Sequence, residues 1–209
     1  MPLIEAVLRS LDPDVIALQE ANDRPAAERL GGALDMHVFW GEANSPYAVA
    51  WLAREPATAR NHRREVLDKT LLELQLGSLR LFTTHLSAGR RLQDEPHRID
   101  EMRAVLEVAH DADLLVGDFN AVHPEDEVGT PPSEERLEHV SREPIALALE
   151  AGFTDCFRAL HRETVWTYQT WHPWARLDHV FARISPSACR VVTEAGGASD
   201  HFPVVADFP

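Results

Sequence analysis

The chain has 209 residues, 44% of them hydrophobic, and a formal net charge of -14, which predicts one globular domain over residues 1–209 with a sizeable core. The negative balance disfavours broad, non-specific binding to nucleic acid or anionic membrane, because such binding depends on basic surface that neutralises phosphates. A polyanionic substrate would need a local basic patch. No apolar run approaches the ~20 residues that cross a bilayer, and no leader pattern opens the chain. Cys156 and Cys189 lack CxxC spacing and read as two buried thiols in a reducing compartment, so the expected location is cytoplasmic. A single lysine, Lys69, beside many arginines and alanines has the composition of a GC-rich bacterial coding sequence.

Leu3, Ile4, Val7, Leu8 and Leu11 recur at three- and four-residue spacing, so residues 2–11 read as a core-facing helix ending at Asp12-Pro13. Val15-Ile16-Ala17-Leu18 reads as a buried strand closing on Gln19-Glu20. Pro25 to Leu30 predicts a short helix before Gly31-Gly32, and Met36 to Trp40 and Tyr47 to Leu52 predict two more strands, the second ended by Pro56. The run Arg60-Asn61-His62-Arg63-Arg64 is the densest positive cluster; it fits a solvated edge better than a phosphate contact. Leu71 to Leu76 and Leu79 to Thr84, joined by Gly77-Ser78, predict a hairpin that delivers His85.

Helical spacing returns at His97 to His110 through Ile99, Met102, Val105, Leu106 and Ala109. Leu114-Leu115-Val116-Gly117-Asp118-Phe119-Asn120 then reads as a strand whose end presents Asp118 and Asn120 on one face while Phe119 turns into the core. On its own, this stretch reads better as a strand followed by an ordinary polar turn. His123 to Pro144 has the composition of a loop or lid, with a short helix expected at Glu134 to Val140. A helix at Ile145 to Ala151 stops at Gly152, and a new segment runs from Phe153 to Leu160. The aromatic tract Thr164 to Trp174 reads mainly as core. Short strands follow at Val180 to Ala182, at Val191-Val192 and at Pro203 to Phe208. Many short strands with a few helices indicate two packed sheets with outer helices.

Polar residues gather at predicted strand ends: Glu20, His85, Asp118, Asn120, Asp178, Asp200 and His201. Any one of them alone is ordinary. Together they supply hard oxygen donors for a divalent cation and histidines that carry protons near neutral pH.

The ordered motifs Asp14-Val15-Ile16-Ala17-Leu18-Gln19-Glu20, Ala50-Trp51-Leu52-Ala53-Arg54-Glu55-Pro56, Thr84-His85-Leu86, Gly117-Asp118-Phe119-Asn120, Arg176-Leu177-Asp178-His179-Val180-Phe181 and Ser199-Asp200-His201-Phe202-Pro203-Val204 span nearly the whole chain. In this pattern the sequence resembles the endonuclease/exonuclease/phosphatase (DNase I-like) superfamily. The resemblance implies a four-layer α/β/β/α sandwich, two mostly antiparallel sheets packed face to face. It implies a divalent-metal-dependent hydrolase of phosphoester bonds, a phosphodiesterase, nuclease or phosphatase, in which water attacks phosphorus in line. The implied cofactor is Mg²⁺, with Mn²⁺ as substitute. Glu20 and Asp200 are then the metal-side carboxylates. His201 transfers a proton or steadies phosphate, Asp178 orients its ring, Asp118 aligns or activates the attacking water with Asn120 beside it, and His85 contacts the scissile phosphate.

Two departures stand out. The family's usual first strand, an apolar run ending in Asn ahead of the first helix, has no counterpart before Pro2. His179 replaces the more frequent aromatic of its motif, and packing or the pocket are both open to it. The alternative is therefore an inactive or truncated, phosphate-ligand-binding member of the same fold. The implied partner is a phosphoester: nucleic acid, a nucleotide or a lipid headgroup. The acidic balance favours the smaller of these, with the protein a monomer by default.

Overall fold

The computed structural model describes residues 2–89, 91–132 and 138–209. The first half holds α1 (Pro2–Leu11), β1 (Val15–Leu18), α2 (Arg24–Leu34), β2 (His37–Gly41), β3 (Val49–Ala53), β4 (Thr58–His62), β5 (Leu71–Leu76) and β6 (Leu79–His85). The second holds α3 (Glu95–Val108), β7 (Leu114–Asp118), α4 (Glu143–Glu150), β8 (Thr154–Asp155), α5 (Cys156–Leu160), β9 (Asp178–Ala182), β10 (Ala188–Val191) and β11 (Val204–Asp207).

Most predicted elements stand where periodicity put them. The exceptions have local causes. Helix α2 runs past the predicted Leu30: the Asp23 side chain accepts from Ala26 N, Pro25 sits in the first turn, and the chain turns left-handed only at Asp35, φ 57°. Gly31 lies inside the helix, and strand β2 crosses so closely there that only glycine fits; a Cβ on it would lie 2.2 Å from Val38 Cγ2. Of the pair read as a helix stop, Gly31 is a packing site, whereas Gly32 has open space around it. The basic run is strand β4 and the turn after it. β4 is an edge of its sheet, where charged side chains deter further pairing. Arg64 pairs with Glu107 at 2.7 Å, and Arg63 reaches Asn44 Oδ1 at 3.2 Å. Of the helix expected at Glu134 to Val140, residues 134–137 lie outside the described residues, and 138–140 are not helical. No helix among the described residues is long and apolar enough to cross a membrane.

A six-stranded sheet, in the order β4-β5-β6-β7-β9-β8, forms one central layer. Only its β6–β7 pair is parallel. The second β layer consists of two antiparallel pieces, β1-β3-β2 and β10-β11. Among the described residues, β1 pairs only with β3, and β11 only with β10. Between the layers, Val49, Trp51 and Ala53 pack against Leu72, Leu74 and Leu81. Outside, α1 and α2 cover β1-β3-β2 through Leu8, Ile16, Leu30, Met36 and Leu52. On the far side Met102, Val105, Ile145 and Ala148, from α3 and α4, close over Phe82, Leu115 and Phe181. These are the four layers α/β/β/α.

The pleat then decides which polar residues meet. Leu114 and Val116 belong to the inter-sheet core, whereas Leu115 lies under α3 and α4. Asp118, two residues beyond Val116, therefore faces the inter-sheet side. On β9, Phe181 lies in the helix-covered core, so Asp178 shares the Asp118 face and His179 takes the other.

Candidate active site

Three adjacent strands deliver one polar row. β6 and β7 pair in parallel with His85 opposite Asp118, and β7 and β9 pair antiparallel with Asp118 opposite Asp178. His85, Asp118 and Asp178 thus share a rung at the mouth of the inter-sheet layer. Gly117 makes this close approach achievable: a Cβ there would sit 1.9 Å from the Thr84 carbonyl oxygen. Asn120 follows in the left-handed region, φ 47°, which Asn tolerates, and its backbone N–H donates to Asp118 Oδ1 at 2.8 Å. Its Nδ2 donates to Leu86 O at 3.0 Å and lies 3.2 Å from His85 Nε2. Phe119 between them is fully buried in the helix-covered core, as its alternation predicts.

His201 comes from the segment before β11 and closes the cluster. Its Nδ1 is 2.7 Å from Asp178 Oδ2 and its Nε2 is 4.0 Å from Asp118 Oδ2. Tyr168 packs on its ring at 4.7 Å between centroids. The aromatic tract divides: Trp174 is buried, and Trp171 stands 65% exposed.

Environment sets four distinct protonation tendencies. Burial, and then the positive charge of Lys69, push His85 down to about 3, so the ring is neutral. Its buried Nδ1 has no hydrogen-bond partner among the described residues. Burial opposes a charge on His201, yet Asp178, by charge and hydrogen bond, and then Asp118 raise it to about 10. Burial opposes ionisation of Asp178 as well, but His201 holds its carboxyl below the usual carboxylate range. Asp118 is raised, by burial and then by the charge of Asp178. The pair splits into one acid ionised against an imidazolium and one with a strengthened hold on a proton.

The structure therefore brings together His85, Asp118, Asn120, Asp178 and His201. Glu20 and Asp200 stand outside that hydrogen-bonded cluster. Both are exposed. Glu20 is two residues past β1 in the left-handed region, φ 50°, and its neighbour Gln19 donates to Thr83 Oγ1 on β6 at 3.0 Å. Asp200 precedes His201, and its carbonyl accepts from Thr170 N at 2.9 Å. The donor set fits a hard divalent cation. Asp118, Asp178 and His201 each offer a ligand atom, all within 4.8 Å of one another, and carboxylate oxygens are the donors that a hard divalent cation prefers. A second group, Asp68, His97 and Glu101, has equally close donors. Ser87 ties it together instead: its Oγ donates to Asp68 at 2.6 Å and its N–H to Glu101 at 2.7 Å.

The endonuclease/exonuclease/phosphatase family model matches residues 3–201. The chain belongs to that family. Family members act on phosphoester bonds and are generally dependent on divalent metal. Among solved structures, the chain is similar to the 3′ phosphatase NExo from Neisseria bound to product DNA hairpin, with TM-score 0.80, 20% identity, and coverage of 100% of this chain and 93% of that one. It is similar to an AP endonuclease from Archaeoglobus fulgidus, with TM-score 0.78, 19% identity, and coverage of 98% and 92%. An endonuclease/exonuclease/phosphatase from Beutenbergia cavernae gives TM-score 0.75, 22% identity, and coverage of 98% of this chain and 64% of that one. These similarities establish the DNase I-like sandwich. No curated protein sequence matches the chain.

Sequence reasoning missed several residues around the site. Tyr168 against His201 was absorbed into an aromatic tract. Thr167 Oγ1 accepts from Leu177 N at 3.0 Å and Asp178 N at 3.3 Å, fixing the start of β9. Lys69, noted only for its rarity, is buried beside the cluster and donates to Leu86 O at 3.3 Å. His179 resolves to packing: its Nδ1 is 2.7 Å from Asp155 Oδ2 and its Nε2 is 3.0 Å from Ala121 O.

Proposed function

We propose that the chain hydrolyses phosphodiesters in the presence of a divalent cation, Mg²⁺ or Mn²⁺, by in-line attack of water on phosphorus. The observation that carries this reading is the His85–Asp118–Asp178 rung with His201 set across it. Asp178 fixes the ring of His201 through Nδ1 and favours its protonated form, so Nε2–H is free to donate to a phosphoryl or leaving-group oxygen. Asp118, with a raised proton affinity, is suited to accept a proton from the attacking water. Asn120, oriented by Leu86 O, and neutral His85 steady a non-bridging oxygen from the β6 side. Glu20, on the turn after β1, and Asp200, next to His201 in the chain, would hold the cation together with a carboxylate oxygen of the rung. When bound, the cation neutralises charge on the phosphoryl group and lowers the pKa of water.

The Neisseria protein is bound to a DNA hairpin, which supports a nucleic-acid end as one substrate class. The net charge of -14 and the ion-paired Arg63 and Arg64 favour contact with few phosphates, as a nucleotide or a small headgroup diester also requires. The test is turnover of a chromogenic phosphodiester with Mg²⁺ or Mn²⁺, stopped by a chelator and restored by returning metal. Turnover that persists after chelation would overturn the metal-dependent reading. Binding of a phosphate ligand without turnover would make the chain the inactive member of its fold.

A further inference from the structure

We propose that Lys69 is a phosphate-contacting residue whose buried ammonium, sharing the Leu86 carbonyl with Asn120, completes an anion-binding wall beside His85. The assignment rests on the site described above and names a group in it that no motif supplies. Lys69 is the single lysine of the chain and is 7% exposed on the turn that enters β5. Its Nζ donates to Leu86 O at 3.3 Å, the oxygen that accepts from Asn120 Nδ2 at 3.0 Å. An ammonium has three donors; among the described residues this carbonyl is its only hydrogen-bond acceptor, and no carboxylate lies within 4.0 Å of it. Asp68 next door turns its carboxylate away, to Ser87 Oγ at 2.6 Å and His97 Nε2 at 3.1 Å.

A buried charge without a counter-ion is costly unless a ligand supplies one. The Tyr47 ring, 6.0 Å from Nζ, is at the limit of a cation–π contact and does not replace a counter-ion. The placement is built, not incidental. Asn44 N donates to Lys69 O at 3.3 Å, Asn44 Nδ2 donates to Leu67 O at 2.7 Å, and Ala21 N, in the Glu20 turn, donates to Ala48 O at 2.9 Å. Lys69 thus sits in a hydrogen-bonded turn with its ammonium against the residue that follows β6. Its charge is felt at the rung: after burial it is the largest influence lowering His85, and it acts on Asp118 in the same sense. A tetrahedral phosphate oxygen held by Asn120 would bring the missing negative charge to Nζ, and lysine serves phosphate as a compact point charge.

The test is equilibrium binding of inorganic phosphate to the full chain with Mg²⁺ present, by calorimetry, for the wild type, Lys69→Met and Lys69→Arg. The expected result is a loss of about 10- to 100-fold in phosphate affinity for Lys69→Met, recovered largely by Lys69→Arg, at an unfolding midpoint no lower than that of the wild type. Equal affinity in the wild type and Lys69→Met would overturn the assignment, as would a wild type that binds no phosphate. A purely structural lysine would lower the midpoint and leave affinity alone. Should Lys69→Met not fold, the wild type still decides: acetylation of its one lysine, followed by mass spectrometry, should slow when phosphate is present, and an unchanged rate would overturn the proposal. Diester turnover is scored separately. Phosphate binding that depends on Lys69 without turnover keeps the anion site and removes the hydrolase reading; turnover with Lys69-independent binding does the reverse.

Discussion

Asp178 and His179 are chain neighbours on opposite faces of β9, and each belongs to a carboxylate–imidazole pair 2.7 Å across, Asp178 with His201 and His179 with Asp155. Their surroundings separate them. On the helix-covered face, Arg176 contacts Asp155 at 2.9 Å and Asp126 at 2.8 Å, and Arg158 also pairs with Asp126. Two acids meet two arginines, and His179 is 1% exposed. Burial would raise Asp155, but the hydrogen bond and charge of His179, and then the charge of Arg176, hold its carboxyl well below the usual carboxylate range. On the inter-sheet face, Asp118 and Asp178 have no arginine partner among the described residues, His85 is neutral, and the His201 side chain is 24% exposed. The same pair of residue types is a brace where the charges close and an open site where they do not.

That contrast is broken most directly by two substitutions. Asp118→Asn should reduce kcat on a phosphodiester by about 10²- to 10⁴-fold, the range of a lost general acid or base, while leaving the urea midpoint close to that of the wild type. Arg176→Met should do the opposite. It strips two buried carboxylates of a partner and should cost about 3–5 kcal/mol of stability, a large share of a typical total, with kcat per folded molecule little changed. Urea titrations and single-temperature kinetics on both variants check this. A kcat lost in Arg176→Met at full stability would merge the two regions.

A smaller effect concerns pH. Asp155 titrates in the folded chain below its ordinary value of 3.8, so the unfolded chain takes up its proton first as pH falls. The brace is therefore fully present above about pH 4, the unfolded value, and is lost as pH drops from there through the lowered folded value. The urea midpoint should decline in that acid window, and Asp155→Asn should flatten the decline while lowering the plateau above it. An equally steep acid decline in Asp155→Asn would move the linkage to other carboxylates.

The site's strand ends were legible because period-2 alternation is local: Val116, Asp118 and the burial of Phe119 follow from one stretch of sequence, and the register of β6, β7 and β9 does the rest. The brace was not legible. Asp126, Asp155, Arg158 and Arg176 share no motif; Asp126 sits in a segment that reads as an acidic loop, and only tertiary packing brings it to Arg176. Lys69 was invisible for a related reason, since one lysine before a strand carries no periodicity. Glu20 and Asp200 were found as carboxylates near strand ends. Their side-chain directions depend on turns, φ 50° at Glu20 and an anchored loop at Asp200, that residue patterns do not encode.

The smallest effect lies on the seam between the two regions. Thr167 is fully buried, and its Oγ1 accepts from the N–H groups of both Leu177 and Asp178, just past Arg176 and at the start of β9. Thr167→Val keeps the shape and removes the acceptor, leaving two buried donors without it, at a cost of about 1–3 kcal/mol. Because Asp178 keeps its bond to His201, kcat should fall by less than about tenfold, equivalent to under ~1.4 kcal/mol of barrier. The informative quantity is the coupling. Combined with Arg176→Met, the stability losses should depart from additivity by more than ~0.5 kcal/mol, since both act on one turn of backbone. Combined with Asp118→Asn, the effects on barrier height should add, because Asp118 is held from β7 and its hydrogen bond to Asn120 N. Additive stability with a non-additive barrier would mean that Thr167 serves the open face, and the division of β9 into brace and site would have to be redrawn one residue earlier.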